Sequence, residues 1–112
     1  MCSWCWGFSE SYKKLIAHLD PSIKVKRLLG GLAPDNDEPM SDSTRQIVMR
    51  SWHQIEKTIP YKKFNLDFWE KNIPRRSTYP ACRAVIAAKA QGDEFDELMI
   101  SAIQTAYYQQ AK

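Results

Sequence analysis

One short run of this chain alternates like a β-strand and no second run joins it, a pattern that limits the fold more than any other. Ile23 and Val25 alternate with Lys24 and Lys26 ahead of the apolar pair Leu28-Leu29, and Gly30-Gly31 closes the run. A strand leaves backbone donors and acceptors on both edges that need partner strands, and the rest of the sequence offers no convincing one. The expected architecture is therefore mostly α, with one or few strands.

Helical periodicity accounts for most of what remains. Phe8, Tyr12, Leu15, Ile16 and Leu19 recur at helical spacing from Cys5 onward until Asp20-Pro21 breaks the pattern. Leu32 to Ser43 carries two prolines and four acidic residues without periodicity and reads as a surface loop. Ser41 or Ser43 then caps a helix whose face is Ile47, Val48, Trp52, Ile55 and Ile59, stopped by Pro60. Asn65 or Asp67 caps a short turn bearing Leu66, Phe68 and Trp69. Ser77 or Thr78 caps a helix with Pro80 in its first turn, running to Gly92. A last helix begins at Asp93 with the stripe Phe95, Leu98, Met99, Ala102, Ile103, Ala106 and Tyr107.

The 112 residues suffice for one domain with a modest core. Hydrophobic residues at 44% and charged residues at 26% are the balance of a soluble globular chain. The 16 basic and 13 acidic residues are scattered, without the stripe that a phosphate backbone requires, so no nucleic-acid partner is expected. No apolar run approaches a membrane span and no export signal is legible, so neither membrane nor export is expected and the cytoplasm is the expected location.

The chemistry sits in Cys2-Ser3-Trp4-Cys5, which opens directly into the first helix. Thiols at this spacing close a small disulfide loop, and a helix beginning at the first thiol points N–H groups at its sulfur, which favours the attacking thiolate. Cys2 is then the attacking sulfur and Cys5 the one that resolves the mixed disulfide. Trp4 and Trp6 would form an apolar, partly exposed rim for a peptide. Zinc sites use the same spacing, but there is no second ligand pair, and Cys82, His18 and His53 stand alone. No metal or cofactor is expected beyond the redox-active pair. Cys82 reads as an inert buried thiol, the histidines as structural or solvated groups, Trp52, Phe68 and Trp69 as core, and Arg75-Arg76 as solvated loop.

Three blocks, Cys2-Ser3-Trp4-Cys5-Trp6-Gly7-Phe8, Leu28-Leu29-Gly30-Gly31-Leu32-Ala33-Pro34 and Arg76-Ser77-Thr78-Tyr79-Pro80-Ala81-Cys82, resemble the DsbA-like thioredoxin family, closest to its FrnE-like cytosolic branch. The resemblance implies a thioredoxin sheet interrupted by a helical insertion domain, with Cys2 as nucleophile and Cys5 as resolving thiol. Residues 1–34 would be a partial thioredoxin-like segment, with the Cys-x-x-Cys helix and one strand, and residues 35–112 the helical insertion-like region. Met1 stands where the family often has methionine before the cysteines. The family's first strand and its later cis-proline half have no counterpart here, so the chain reads as a fragment. The implied activity is protein or small-molecule thiol-disulfide exchange. The alternatives are a catalytically impaired helical piece that self-associates through exposed apolar surface, and a small metal-binding module.

Overall fold

Ser41 starts the longest helix. Its hydroxyl accepts from the Thr44 N–H at 3.3 Å, and helix Asp42–Thr58 follows until Pro60. In the computed structural model, which describes residues 2–112, this is the second of five helices. We number them α1 (Ser3–His18), α2 (Asp42–Thr58), α3 (Phe68–Lys71), α4 (Tyr79–Lys89) and α5 (Phe95–Gln109). Met1 lies outside the described residues. The chain is mostly helical, as its periodicity requires.

The strand expected from Ile23 to Leu29 does not form. β pairing among the described residues is confined to one antiparallel bridge, between Pro39 and Arg75. Residues 24–32 run without regular structure, and their backbone groups make no hydrogen bond within the described chain. The physical reason is the one that makes a lone strand anomalous: local β preference becomes a strand only when a neighbour about 4.8 Å away supplies the ladder. The thioredoxin-type sheet is accordingly absent among the described residues.

Aromatic packing forms the core. Trp52 and Ile55 of α2 are wholly buried, as is Tyr108 of α5, and Phe64, Phe68 and Trp69 close around them. Trp52 stacks on Phe64 at 4.5 Å and meets Trp69 at 4.9 Å, and Tyr108 approaches Phe64 edge-on at 5.4 Å. Such pairs contribute about 0.5–1.5 kcal/mol each beyond the area they bury. Helix α4 packs on α5, and α1 lies on α2. Gly7 permits the second contact: a Cβ there would lie 3.2 Å from Ile59 Cδ1 and 3.3 Å from Ile55 Cγ2. Residues from both sides of position 34 thus share one core, because Trp6 of α1 belongs to the same cluster as Trp52.

Two links hold the irregular segment in place. The Thr78 hydroxyl donates to the Ala33 carbonyl at 3.1 Å and accepts from the Ala33 N–H at 3.0 Å, so it is spent on this crosslink rather than on capping α4. Arg27 pairs with Asp96 at 2.9 Å and with Glu97, joining the segment to the start of α5. Between these anchors Gly31 adopts φ +54°, a backbone that glycine enters without penalty, with the Tyr79 ring 3.4 Å from where a Cβ would stand.

Candidate active site

Cys2 is the N-cap residue of α1, with extended backbone (φ −93°, ψ 112°), and its sulfur accepts from the Cys5 N–H at 3.2 Å. A sulfur here takes the place that a Ser or Asp oxygen fills at other helix starts, and partial positive charge converges on it from the first turn. Cys5 lies one turn along, and both thiols are free and exposed. Partial desolvation of its sulfur at the groove pushes the Cys5 thiol up to about 11, helped by its hydrogen bond with Cys2 and by the negative charge that Cys2 carries when ionised. The pair is therefore asymmetric: Cys5 is the thiol that holds its proton.

Both open onto an apolar groove of about 420 Å³. Phe8 and Tyr12 continue the wall along α1, the opposite wall is the segment Leu28–Leu32, and Val85 and Gln104 come from α4 and α5. Cys2, Cys5, Phe8 and Tyr12 recur every three or four residues, so one face of α1 supplies them all. Cys82 also lines the groove, half-buried, and so is not the fully enclosed thiol that its sequence context suggests. All three thiols of the chain thus face a single cleft.

The two tryptophans part company. Trp4 is 46% exposed in the first turn of α1 and is not among the residues that line the groove. Trp6 is 5% exposed and lies in the core, 4.7 Å from Phe64 and 5.1 Å from Tyr108, which corrects the expectation that it forms part of the rim. Residues two apart on a helix point about 200° away from each other, so both cannot face one surface. The Lys62 ammonium sits 4.7 Å from the Trp6 ring and donates to Ser9 Oγ at 2.8 Å, pinning α1 to the core. Burial holds the Lys62 ammonium below its ordinary range, against the pull of Glu10.

Sequence reasoning missed two neighbours. Tyr108 is wholly buried with no hydrogen-bond partner for its hydroxyl among the described residues. Burial pushes its phenol up, aided by Tyr107 and by the nearby sulfurs of Cys2 and Cys5. Gln104 brings a buried side-chain amide to the groove. The apolar stripe of α5 skips both residues, so only their place on the helix face next to Tyr107 could have marked them.

The remaining candidates are ordinary. His18 is exposed and donates from Nδ1 to the Lys14 carbonyl at 2.7 Å, in the last turn of α1. His53 is exposed on α2, and Arg75 pairs with Asp37 at 3.0 Å on the surface. Trp52, Phe68 and Trp69 are core residues. Among the described residues no three His, Cys, Asp or Glu side chains gather where they could hold a metal, and no helix is long and apolar enough to cross a membrane. No protein-family model matches the chain, and no curated protein matches it.

Proposed function

We propose that this chain is a thiol-disulfide oxidoreductase of DsbA-like descent that works through the Cys2/Cys5 dithiol in the cytoplasm, with no cofactor beyond that pair. The observation that carries the reading is the 3.2 Å contact from the Cys5 N–H to the Cys2 sulfur at the start of a helix, with both thiols open to one apolar cleft. The resemblance in the three sequence blocks supports the family, and the reducing cytosol suits a resting dithiol.

In the reducing direction the Cys2 thiolate attacks a substrate disulfide. The substrate S–S bond breaks, one sulfur leaves as thiolate and takes a proton from water, and the other stays bonded to Cys2. Cys5 then loses its proton to solvent and attacks the Cys2 sulfur, releasing the second substrate thiol and leaving a Cys2–Cys5 disulfide. Two electrons have passed to the substrate; oxidation runs the same steps backwards. The asymmetry of the pair serves this order. Once Cys2 is tied up in a mixed disulfide its charge is gone, so one of the causes that keep Cys5 protonated is removed at the moment its thiolate is needed. Trp4 offers a flat, exposed apolar surface to a peptide that extends beyond the cleft.

Insulin reduction by the wild type against Cys2→Ser tests the proposal. The variant is expected to lose the activity, and Cys5→Ser to accumulate a mixed disulfide with substrate. Equal rates for wild type and Cys2→Ser would remove the catalytic reading.

A further inference from the structure

Gln104 is a polar side chain that the fold does not use. It belongs to α5, is 9% exposed and lines the thiol groove, and its amide has no hydrogen-bond partner among the described residues. Ile100, one turn earlier, lines the same groove. An unpaired amide this deep in an apolar wall weakens the fold, and it is relieved when a bound molecule supplies the missing partners.

The charged and hydroxyl groups around it are already engaged. Arg27 and Glu97, the only charged side chains in the lining, pair with each other. The Thr78 hydroxyl is held by Ala33, and Ser9 Oγ accepts from Lys62. Tyr12, half-buried, adds only a neutral hydroxyl. A carboxylate brought into the groove would lose its water and meet no free cation. The rest of the wall is apolar, with Phe8, Leu32 and Val85 among its residues. A cleft of about 420 Å³ with such a lining and one uncommitted buried polar group suits a neutral, apolar ligand.

The free group is a carboxamide, which sets an acceptor and two donors in one plane. The C=O and N–H of a peptide bond complement it. The Leu28–Leu32 wall adds backbone groups that make no hydrogen bond within the described chain, so an extended segment in the groove finds main-chain partners there also.

We propose that Gln104 is a substrate-binding residue that pairs with one peptide bond of the substrate, and that the groove thereby selects uncharged, apolar cysteinyl peptide segments over charged small disulfides of the glutathione type. The proposal rests on the redox reading for the substrate's sulfur.

Calorimetric titration of acetyl-Leu-Ser-Leu-amide into the full chain tests it, with the Gln104 side-chain amide followed by NMR. Serine replaces cysteine, so binding is read without thiol chemistry. The wild type is expected to bind with a shift of the Gln104 amide resonances. Gln104→Met should bind about tenfold more weakly, having lost a pair of neutral hydrogen bonds. Its urea midpoint should be equal or higher, since an unpaired amide leaves an apolar wall. Acetyl-Glu-Ser-Glu-amide should bind about tenfold or more below the neutral probe, despite the chain's net charge of +3. Four results each overturn the proposal: equal affinity in Gln104→Met, a lower midpoint in that variant, equal affinity for the acidic probe, or no binding of the neutral one. Insulin reduction that survives in Cys2→Ser removes the redox reading instead and leaves the binding result standing.

Discussion

Cys2 and Cys5 differ because one caps a helix and the other lies inside it. The Cys2 sulfur meets an N–H at 3.2 Å, while the Cys5 thiol is kept protonated up to about 11 by partial desolvation and by Cys2. Iodoacetamide at neutral pH is therefore expected to modify Cys2 before Cys5, with the Cys5 rate climbing only as pH approaches 11. In Cys2→Ser the charge of Cys2 is gone, and the Cys5 profile should move to lower pH. Peptide mapping by mass spectrometry of samples quenched across pH reads both sites; equal rates at neutral pH would contradict the asymmetry. The cysteine pair was legible in the sequence, since Cys-x-x-Cys at a helix start fixes which sulfur can cap. The separation of Trp4 from Trp6 was half legible. Their spacing says that they face apart, but only the packing of Phe64 and Tyr108 decides which one turns inward.

At the scale of elements, α2 organises the molecule and α1 is presented by it. Ser41 caps α2 through the Thr44 N–H, so Ser41→Ala is expected to cost about 1 kcal/mol, seen as a lower urea midpoint with an unchanged slope. Gly7 lets α1 approach the same helix. A leucine there must displace Ile55, which is wholly buried, so Gly7→Leu is expected to cost about 1–3 kcal/mol, measured in the same titration. If α1 only rested loosely on α2, the substitution would be neutral. Helices α2, α4 and α5 were legible because an apolar face repeated every three or four residues states its conformation locally. The segment from Ile23 to Leu29 alternates as a strand does yet stays irregular, because a strand is a relation between segments and no partner for it stands among the described residues.

Over the whole molecule, the radius of gyration of 15.1 Å exceeds the ~13 Å of a compact chain of about 100 residues. The aromatic cluster is small and holds polar atoms without partners among the described residues, namely Trp52 Nε1, Trp69 Nε1 and the Tyr108 hydroxyl. Each such atom costs about 1–3 kcal/mol. Alkaline pH is expected to expose this weakness. Burial raises Tyr107 to about 12 and Tyr108 higher still, and Cys5 lies near 11. The unfolded chain thus releases these protons first and binds fewer than the folded chain, so stability falls as pH rises from about 9. Lys62, held below its ordinary value, works in the opposite direction, but it is one group against three. Urea midpoints at neutral pH and at pH near 10.5 check the sign, and an equal or higher midpoint at the alkaline end would refute it.

What the sequence by itself determined is the local conformation: where helices begin and end, which sulfur stands at a helix start, and which residues share a helical face. These follow from contacts within a few residues, and four helices and the thiol pair lie where that logic places them. Only the tertiary structure decided that Trp6 is core, that Cys82 faces the same cleft as Cys2 and Cys5, and that the backbone of residues 24–32 finds no partner among the described residues. Each of those depends on groups far apart in the chain meeting or failing to meet, and spacing along a sequence carries no record of that.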